Sequence, residues 1–159
     1  MRSVGFGIHS QTLYTEKVGL FVDLNFFFPQ KMTLKVSQGA SSYSDVLTRE
    51  DFDSLWGMSF LAGPSFAVSR GEGHIFTISP GIHYNLVSMK GDGGVSAVYM
   101  FGTGVNFQNN MKINERVYVD IGLELTYDFI CKVITSGDTN SDVSHDFTCV
   151  PKIGLGFFL

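Results

Sequence analysis

The chain alternates large apolar residues with small or polar ones at a period of two, the spacing of a β-strand whose two faces meet different surroundings. Residues 2–13 set Val4, Phe6 and Ile8 against Ser3, Gly5, Gly7 and His9. Residues 17–28 set Val18, Leu20, Val22, Leu24, Phe26 and Phe28 against Gly19, Phe21, Asp23, Asn25 and Phe27. The pattern returns over residues 56–68, 75–88, 96–107, 116–130 and 149–159, with turn-rich stretches between. No helix-period segment of useful length competes with it. The expected fold is all-β, an antiparallel up-and-down barrel in a single domain over residues 1–159.

Two stretches break the rhythm. Residues 29–54 are polar, with an alternation at Met32, Leu34 and Val36 too short to cross a bilayer but suited to a hairpin above its surface. Within them, residues 44–53 suggest a short helical turn. Residues 132–148 read as a second long polar loop. The other connections are shorter, so long and short connections fall at opposite ends of the strands. Membrane barrels show that asymmetry.

Alternation alone does not say which face meets water. Residues 56–68, 75–88 and 96–107 contain no Asp, Glu, Lys or Arg at all, whereas a water-facing strand surface normally carries such residues. Their weaker face is Gly, Ser, Thr, Asn and Ala, which suits the crowded interior of a narrow barrel. The other face is bulky and apolar, as lipid contact demands. About 12 residues at roughly 3.3 Å each, tilted near 45°, cross about 28 Å. The expected orientation is apolar side out; a soluble lipocalin-like lipid carrier with the apolar side in is the rival.

Composition narrows the field further. The 159 residues are 44% hydrophobic and 16% charged, which excludes a disordered chain. A net charge of -4 argues against nucleic acid as a partner. No continuous apolar run is long enough for a transmembrane helix, and no apolar h-region follows Met1-Arg2.

The run Phe101-Gly-Thr-Gly-Val-Asn-Phe107, the segment from Val117 to Phe129 and the C-terminal alternation of Ile153, Leu155, Phe157 and Leu159 resemble the small eight-stranded outer-membrane β-barrels of the OmpA, OmpX and OmpW type. Members of that group usually end on an aromatic residue; here the last residue is Leu159. The resemblance implies the bacterial outer membrane as location, with the long loops extracellular. It implies membrane lipids and the barrel-assembly machinery as partners, and no cofactor. Two functions are compatible with it: a passive channel or carrier for small, including hydrophobic, molecules, or an adhesin whose loops contact host or environmental ligands.

Seven spanning strands are visible, whereas single-chain bacterial barrels have even numbers. The expectation is an eighth strand and an export signal upstream of Met1. The alternative is a strand hidden within residues 29–54.

The small-residue face supplies the candidate lumen residues: Asp23 and Asn25; Ser59 and Ser65; Thr77, Ser79, His83 and Asn85; Asn106; Asp120, Glu124 and Asp128; and Lys152. Three acids at alternate positions of one strand need partners, and Lys152, His83 and His9 are the candidates. The group reads either as a charged constriction that selects a solute or as an ion-pair network plugging a bore just wide enough for side chains. Tyr14, Trp56, Tyr84, Tyr99, Phe107, Tyr127, Phe129 and Phe157 fall where interfacial aromatic belts form. Cys131 and Cys149 flank the second long loop, and an exported location permits a disulfide between them. His9, His74, His83 and His145 share no metal-ligand spacing, and no metal is expected. Residues 138–149 open like a calcium loop but carry Val143 at position six and Cys149 at position twelve. His9 and Ser10 point to opposite faces of one strand and no Gly-x-Ser-x-Gly elbow exists, so no catalytic residue is named and no enzyme is expected.

Overall fold

The computed structural model describes the backbone of residues 2–38, 41–91, 94–135, 138–141 and 146–157, and their side chains except at 2, 32–45, 47, 131, 135, 138–141 and 146. Nine strands form one antiparallel sheet: β1 (Arg2–Leu13), β2 (Val18–Gln38), β3 (Ser41–Thr48), β4 (Ser54–Arg70), β5 (His74–Gly91), β6 (Gly94–Lys112), β7 (Val117–Thr135), β8 (Asp138–Ser141) and β9 (Asp146–Phe157). Seven are long and lie side by side in the order β1-β2-β4-β5-β6-β7-β9. Hydrogen bonds run from Asn110 on β6 to Gln11 on β1, and from Lys152 on β9 to Asp23 on β2. Contacts between strands so far apart in the order require the sheet to curl on itself. The architecture is a seven-stranded, barrel-like half-shell.

The short strands account for the two polar stretches. β3 pairs only with Lys31–Gln38 of β2, while β4 pairs with the lower part, Val18–Phe27. β3 therefore sits end-on above β4 along one flank of β2, as part of a tall hairpin and not as a further long strand of the shell. β8 stands above β9 along β7 in the same way. The described residues within 29–54 and 132–148 are thus largely strand and not irregular loop. The helical turn expected over residues 44–53 shrinks to a 3-10 turn at Arg49–Asp51, because Ser44–Thr48 is committed to the β2 ladder. Eight paired residues on β2 at roughly 3.3 Å each lift this hairpin on the order of 25 Å.

The four prolines mark where strands lack partners. Pro29 falls between the end of the β4 ladder at Phe27 and the start of the β3 ladder at Lys31. Pro64 and Pro80 face each other within the one gap of the β4–β5 ladder, between the Ala62–Ile82 and Phe66–Ile78 pairs. Pro151 lies on β9, which pairs only with β7. A residue without an N–H is tolerated where no ladder needs one.

Three bulges adjust the alternation. They insert Gln30 on β2, Val68 on β4 and Phe129 on β7. The last has a visible consequence: Phe129 and Ile130 are both exposed, and beyond them the even-numbered positions of β7 take over the outer face.

Burial follows the alternation elsewhere. Leu20, Val22, Phe60, Phe66, Ile82, Phe101, Ile121 and Leu123 are exposed, while Phe21, Asp23, Leu61, Ser65, Thr77 and His83 are buried. Near the upper end the interior becomes apolar, where Phe27, Leu55, Val87, Met89, Val98 and Met100 form a closed cluster flanked by Phe52 and Val133. Gly57 is part of this packing: a β-carbon there would lie against the ring of Phe27.

The 3-10 turn ends the hairpin through a capping box. The Thr48 backbone N–H donates to Asp51 Oδ2 at 2.6 Å and its hydroxyl donates to the same oxygen at 2.9 Å. These two bonds hold the exposed Asp51 carboxyl below its usual range. A depressed carboxyl stabilises the turn above its unfolded pKa and loses that contribution as pH falls through the folded value. Titration followed at the Thr48 amide by NMR is expected to show a midpoint below that of an ordinary aspartate, and Asp51→Asn removes the transition.

Candidate functional site

The interior is built in tiers, and each tier joins strands that are not neighbours. In the lowest, Gln11 on β1 donates to the hydroxyl of Ser65 on β4, which also accepts from Ser79 on β5 at 2.8 Å. Gln11 in turn accepts from Asn110 on β6 at 3.2 Å.

The middle tier centres on Lys152. Its ammonium donates to Asp23 Oδ2 at 2.7 Å and to Glu124 Oε2, so one cation serves two carboxylates on different strands. Asp23 Oδ2 also lies 3.3 Å from His9 Nδ1 on β1, and the His9 ring stacks on Phe21 with centroids 6.2 Å apart. Both carboxylates are almost fully buried, and desolvated charges persist only when paired.

Above it, His83 Nδ1 on β5 lies 2.7 Å from Asp128 Oδ1 on β7. The strand between them is β6, whose residue at this register is Gly102, paired with His83 on one side and Asp128 on the other. A β-carbon on Gly102 would run into the Tyr127 carbonyl and the backbone and carboxylate of Asp128, so glycine both lets β6 pack against β7 here and leaves room for the pair to bond across it.

Of the lumen residues expected from sequence, Asp23, Ser59, Ser65, Thr77, Ser79, His83, Asn85, Asn106, Glu124 and Asp128 are buried. Asn25, Asp120 and Lys152 are half-buried. The partners expected for the acids come together: Lys152 reaches Glu124 and Asp23, His83 reaches Asp128, and His9 reaches Asp23. Asp120 lies lower on β7, at the wall of a cavity of about 940 Å³ between β1 and β9.

Sequence reasoning passed over Gln11, Gln108, Asn110 and Thr126 as site residues, although their positions follow the inward parity. It also missed the apolar upper cluster. Its signal is that Val87, Met89, Val98 and Met100, adjacent across the β5–β6 hairpin, are apolar at inward positions.

None of the expected aromatic positions is fully buried. Tyr14, Trp56, Tyr127, Phe129 and Phe157 are exposed, and Tyr84, Tyr99 and Phe107 are half-buried. Phe101 and Phe129 meet edge-to-face at 6.0 Å.

The disulfide expectation is corrected by the register. Cys149 is opposite Leu125, whereas Cys131 is opposite Met100, six positions farther along β7. That is roughly 20 Å of strand, against the about 7 Å between α-carbons that a disulfide tolerates. Cys149 is an exposed free thiol, and the Cys131 side chain lies outside the described residues. His145 also lies outside them. Of the calcium-like stretch, residues 138–141 are strand and residues 142–145 lie outside the description. Among the described residues no group of His, Cys, Asp and Glu has metal-site geometry.

No protein-family model, curated protein or solved structure matches the chain. The geometry alone therefore carries the functional argument.

Two substitutions test the stitching. Lys152→Met leaves two buried carboxylates without their cation and is expected to cost about 3 kcal/mol in urea unfolding from lipid vesicles. Adding Asp23→Asn and Glu124→Gln to that variant recovers most of the loss. Gly102→Ala is expected to cost about 2 kcal/mol through its clash with the β7 backbone and the parting of His83 from Asp128, and in a His83→Phe background only the backbone part remains.

Proposed function

We propose that this chain is a membrane-spanning β-barrel protein of the bacterial outer membrane. In this reading its bore is held shut by its own side chains, and it displays the β2–β3 and β7–β8 hairpins on the outside for contact with surface ligands. The observation that carries the reading is the inversion of faces. Val18, Leu20, Val22, Phe28, Phe60, Phe66, Ile82, Phe101, Ile121 and Leu123 are exposed together, while Asp23, His83, Glu124 and Asp128 are buried. A soluble monomer rarely exposes an apolar surface larger than a few hundred Å². On β2 the apolar set runs from Val18 to Phe28, and ten steps at about 3.3 Å tilted near 40° give roughly 25 Å, the height of the lipid-facing band of such barrels.

Closure of the bore follows from two layers. Lys152 bridges Asp23 and Glu124 across the interior, and the Phe27, Leu55, Val87, Met89, Val98 and Met100 cluster caps the polar section from above. Above the band, the β2–β3 hairpin continues for eight further residue pairs. A shut bore beneath tall hairpins favours display over transport.

A second reading, a passive conduit for small solutes, is favoured by one observation. Asn85, Asn106, Gln108 and Thr126 line the cavity between β1 and β9, and each has a buried side-chain oxygen without a protein partner. Such atoms suit a hydrated path. With three carboxylates (Asp23, Asp120 and Glu124) lining it beside the ammonium of Lys152, that path prefers cations.

Purified protein refolded in vesicles is expected to migrate differently on denaturing gels before and after boiling. External protease is expected to cut it in the hairpins while the spanning strands stay protected. In planar bilayers the wild type gives no steady conductance, and Lys152→Met alone stays closed because the apolar cap remains in place. Steady wild-type steps would instead support the conduit, and a monomer soluble without detergent would remove the membrane reading altogether.

A further inference from the structure

We propose that the seam between β1 and β9 is an acceptor site for one added polypeptide strand, running antiparallel to both edges. Among the described residues no ladder joins β1 to β9; β1 pairs only with β2, and β9 only with β7. β1 therefore presents a row of unpaired backbone donors and acceptors, and β9 does the same over residues 150–157 except at Pro151, which has no N–H to donate; such rows template further pairing.

Strand direction decides what fits. The six steps of the sheet from β1 to β9 are all antiparallel, so β1 and β9 point the same way. Closing them directly on each other would make a parallel pair in an otherwise antiparallel sheet. A second copy of the sheet, set beside this one in the same orientation, would bring β1 against β9 and make the same parallel seam. One strand running the opposite way is antiparallel to both and closes the shell.

Three further observations place it. Phe6 and Ile8 on β1 are 67% and 71% exposed, and Ile153 and Leu155 on β9 are 81% and 71% exposed. The same kind of outward residue on the interior strands, such as Leu20 at 48% or Phe60 at 38%, is shielded by neighbours on both sides. The cavity of about 940 Å³ is lined by both edges, β1 from Ser3 to His9 and β9 from Thr148 to Phe157. Behind the seam, the Lys152–Asp23 and His9–Asp23 contacts already tie β9 and β1 to a common carboxylate. The edges are thus held in register by side chains on the inner side, with the backbone row left open. The occupant needs apolar side chains at alternate positions to continue the outer face of Ile8 and Ile153. Between them it takes small polar ones, which face His9 and Lys152 at the wall of the cavity.

The inference goes beyond the membrane reading, because it rests on strand pairing and not on the surrounding solvent. The test is hydrogen–deuterium exchange of the full chain in detergent micelles, read by mass spectrometry. The added strand is a twelve-residue peptide alternating valine with serine. A second arm joins the same strand through an Asn-Gly turn ahead of Met1, where local concentration replaces affinity. The edge amides of β1 and β9 are expected to slow at least tenfold in one arm or both, while β5 and β6 are unchanged. A peptide of the same composition with its valines in one block has no such effect. The proposal is overturned if β1 and β9 exchange as slowly as β5 without any added strand, or if neither arm slows them. It is overturned as well if the block peptide acts equally. Slowing that rises with protein concentration alone gives the seam to a second copy and overturns it too. A water-soluble chain that still accepts the strand sinks the membrane reading and leaves this one standing.

Discussion

A β-strand sends successive side chains to opposite faces, so a curled sheet must give one face to its interior and the other to its surroundings. In this chain the choice is inverted relative to a soluble sheet. Bulky aliphatic and aromatic residues take the convex side, and the concave side holds glycine, serine, threonine, asparagine and a few charged groups. The inversion fixes what the interior can be. A narrow bore lined by carboxylates in low dielectric cannot leave them unpaired, so Lys152, His9 and His83 are drawn to Asp23, Glu124 and Asp128. Those pairs in turn need space that only glycine leaves, which is why Gly102 stands between His83 and Asp128.

The alternation made much of this legible before any coordinates. All seven long strands follow the period-two segments, and the inward polar positions are those the parity assigns. The pairing of the acids with Lys152, His83 and His9 was also within reach, because few cations share their face. What parity could not show is where it breaks. An extra residue such as Phe129 leaves no composition signature, yet it flips every later side chain of β7 to the other face. The disulfide expectation failed for a related reason. Cys131 and Cys149 look like hairpin neighbours only if β7 ends near residue 130, and β7 instead runs on to Thr135 with β8 as its partner. Likewise the polar stretch over residues 29–54 hides a hairpin, because its strands pair through the backbone and its polar composition gives no apolar alternation to mark them.

The side-chain tiers and the apolar cap give the molecule a division of labour along its axis. The lower interior is polar, with side-chain bonds spanning non-adjacent strands. The upper interior around Val87 and Val98 is fully dry, like the core of a soluble domain. Such a core supports the hairpins that extend beyond it, and the polar tiers below let a narrow shell keep its shape without a large hydrophobic centre. The exposed seam at β1 and β9 is the one place where this economy is incomplete.

The central claim is that the convex face meets lipid and the concave face does not. Nitroxide labels placed singly along β4 at Met58, Ser59, Phe60, Leu61, Ala62, Ser65 and Phe66, in protein reconstituted into vesicles, test it most directly. Collisions with dissolved oxygen should be high at Met58, Phe60, Ala62 and Phe66 and low at Ser59, Leu61 and Ser65, with a water-soluble nickel complex excluded from the first group. Strong quenching by the nickel complex at Phe60 and Phe66, with Ser59 and Ser65 shielded from both reagents, would mean that the apolar face is bathed by water and would contradict the account.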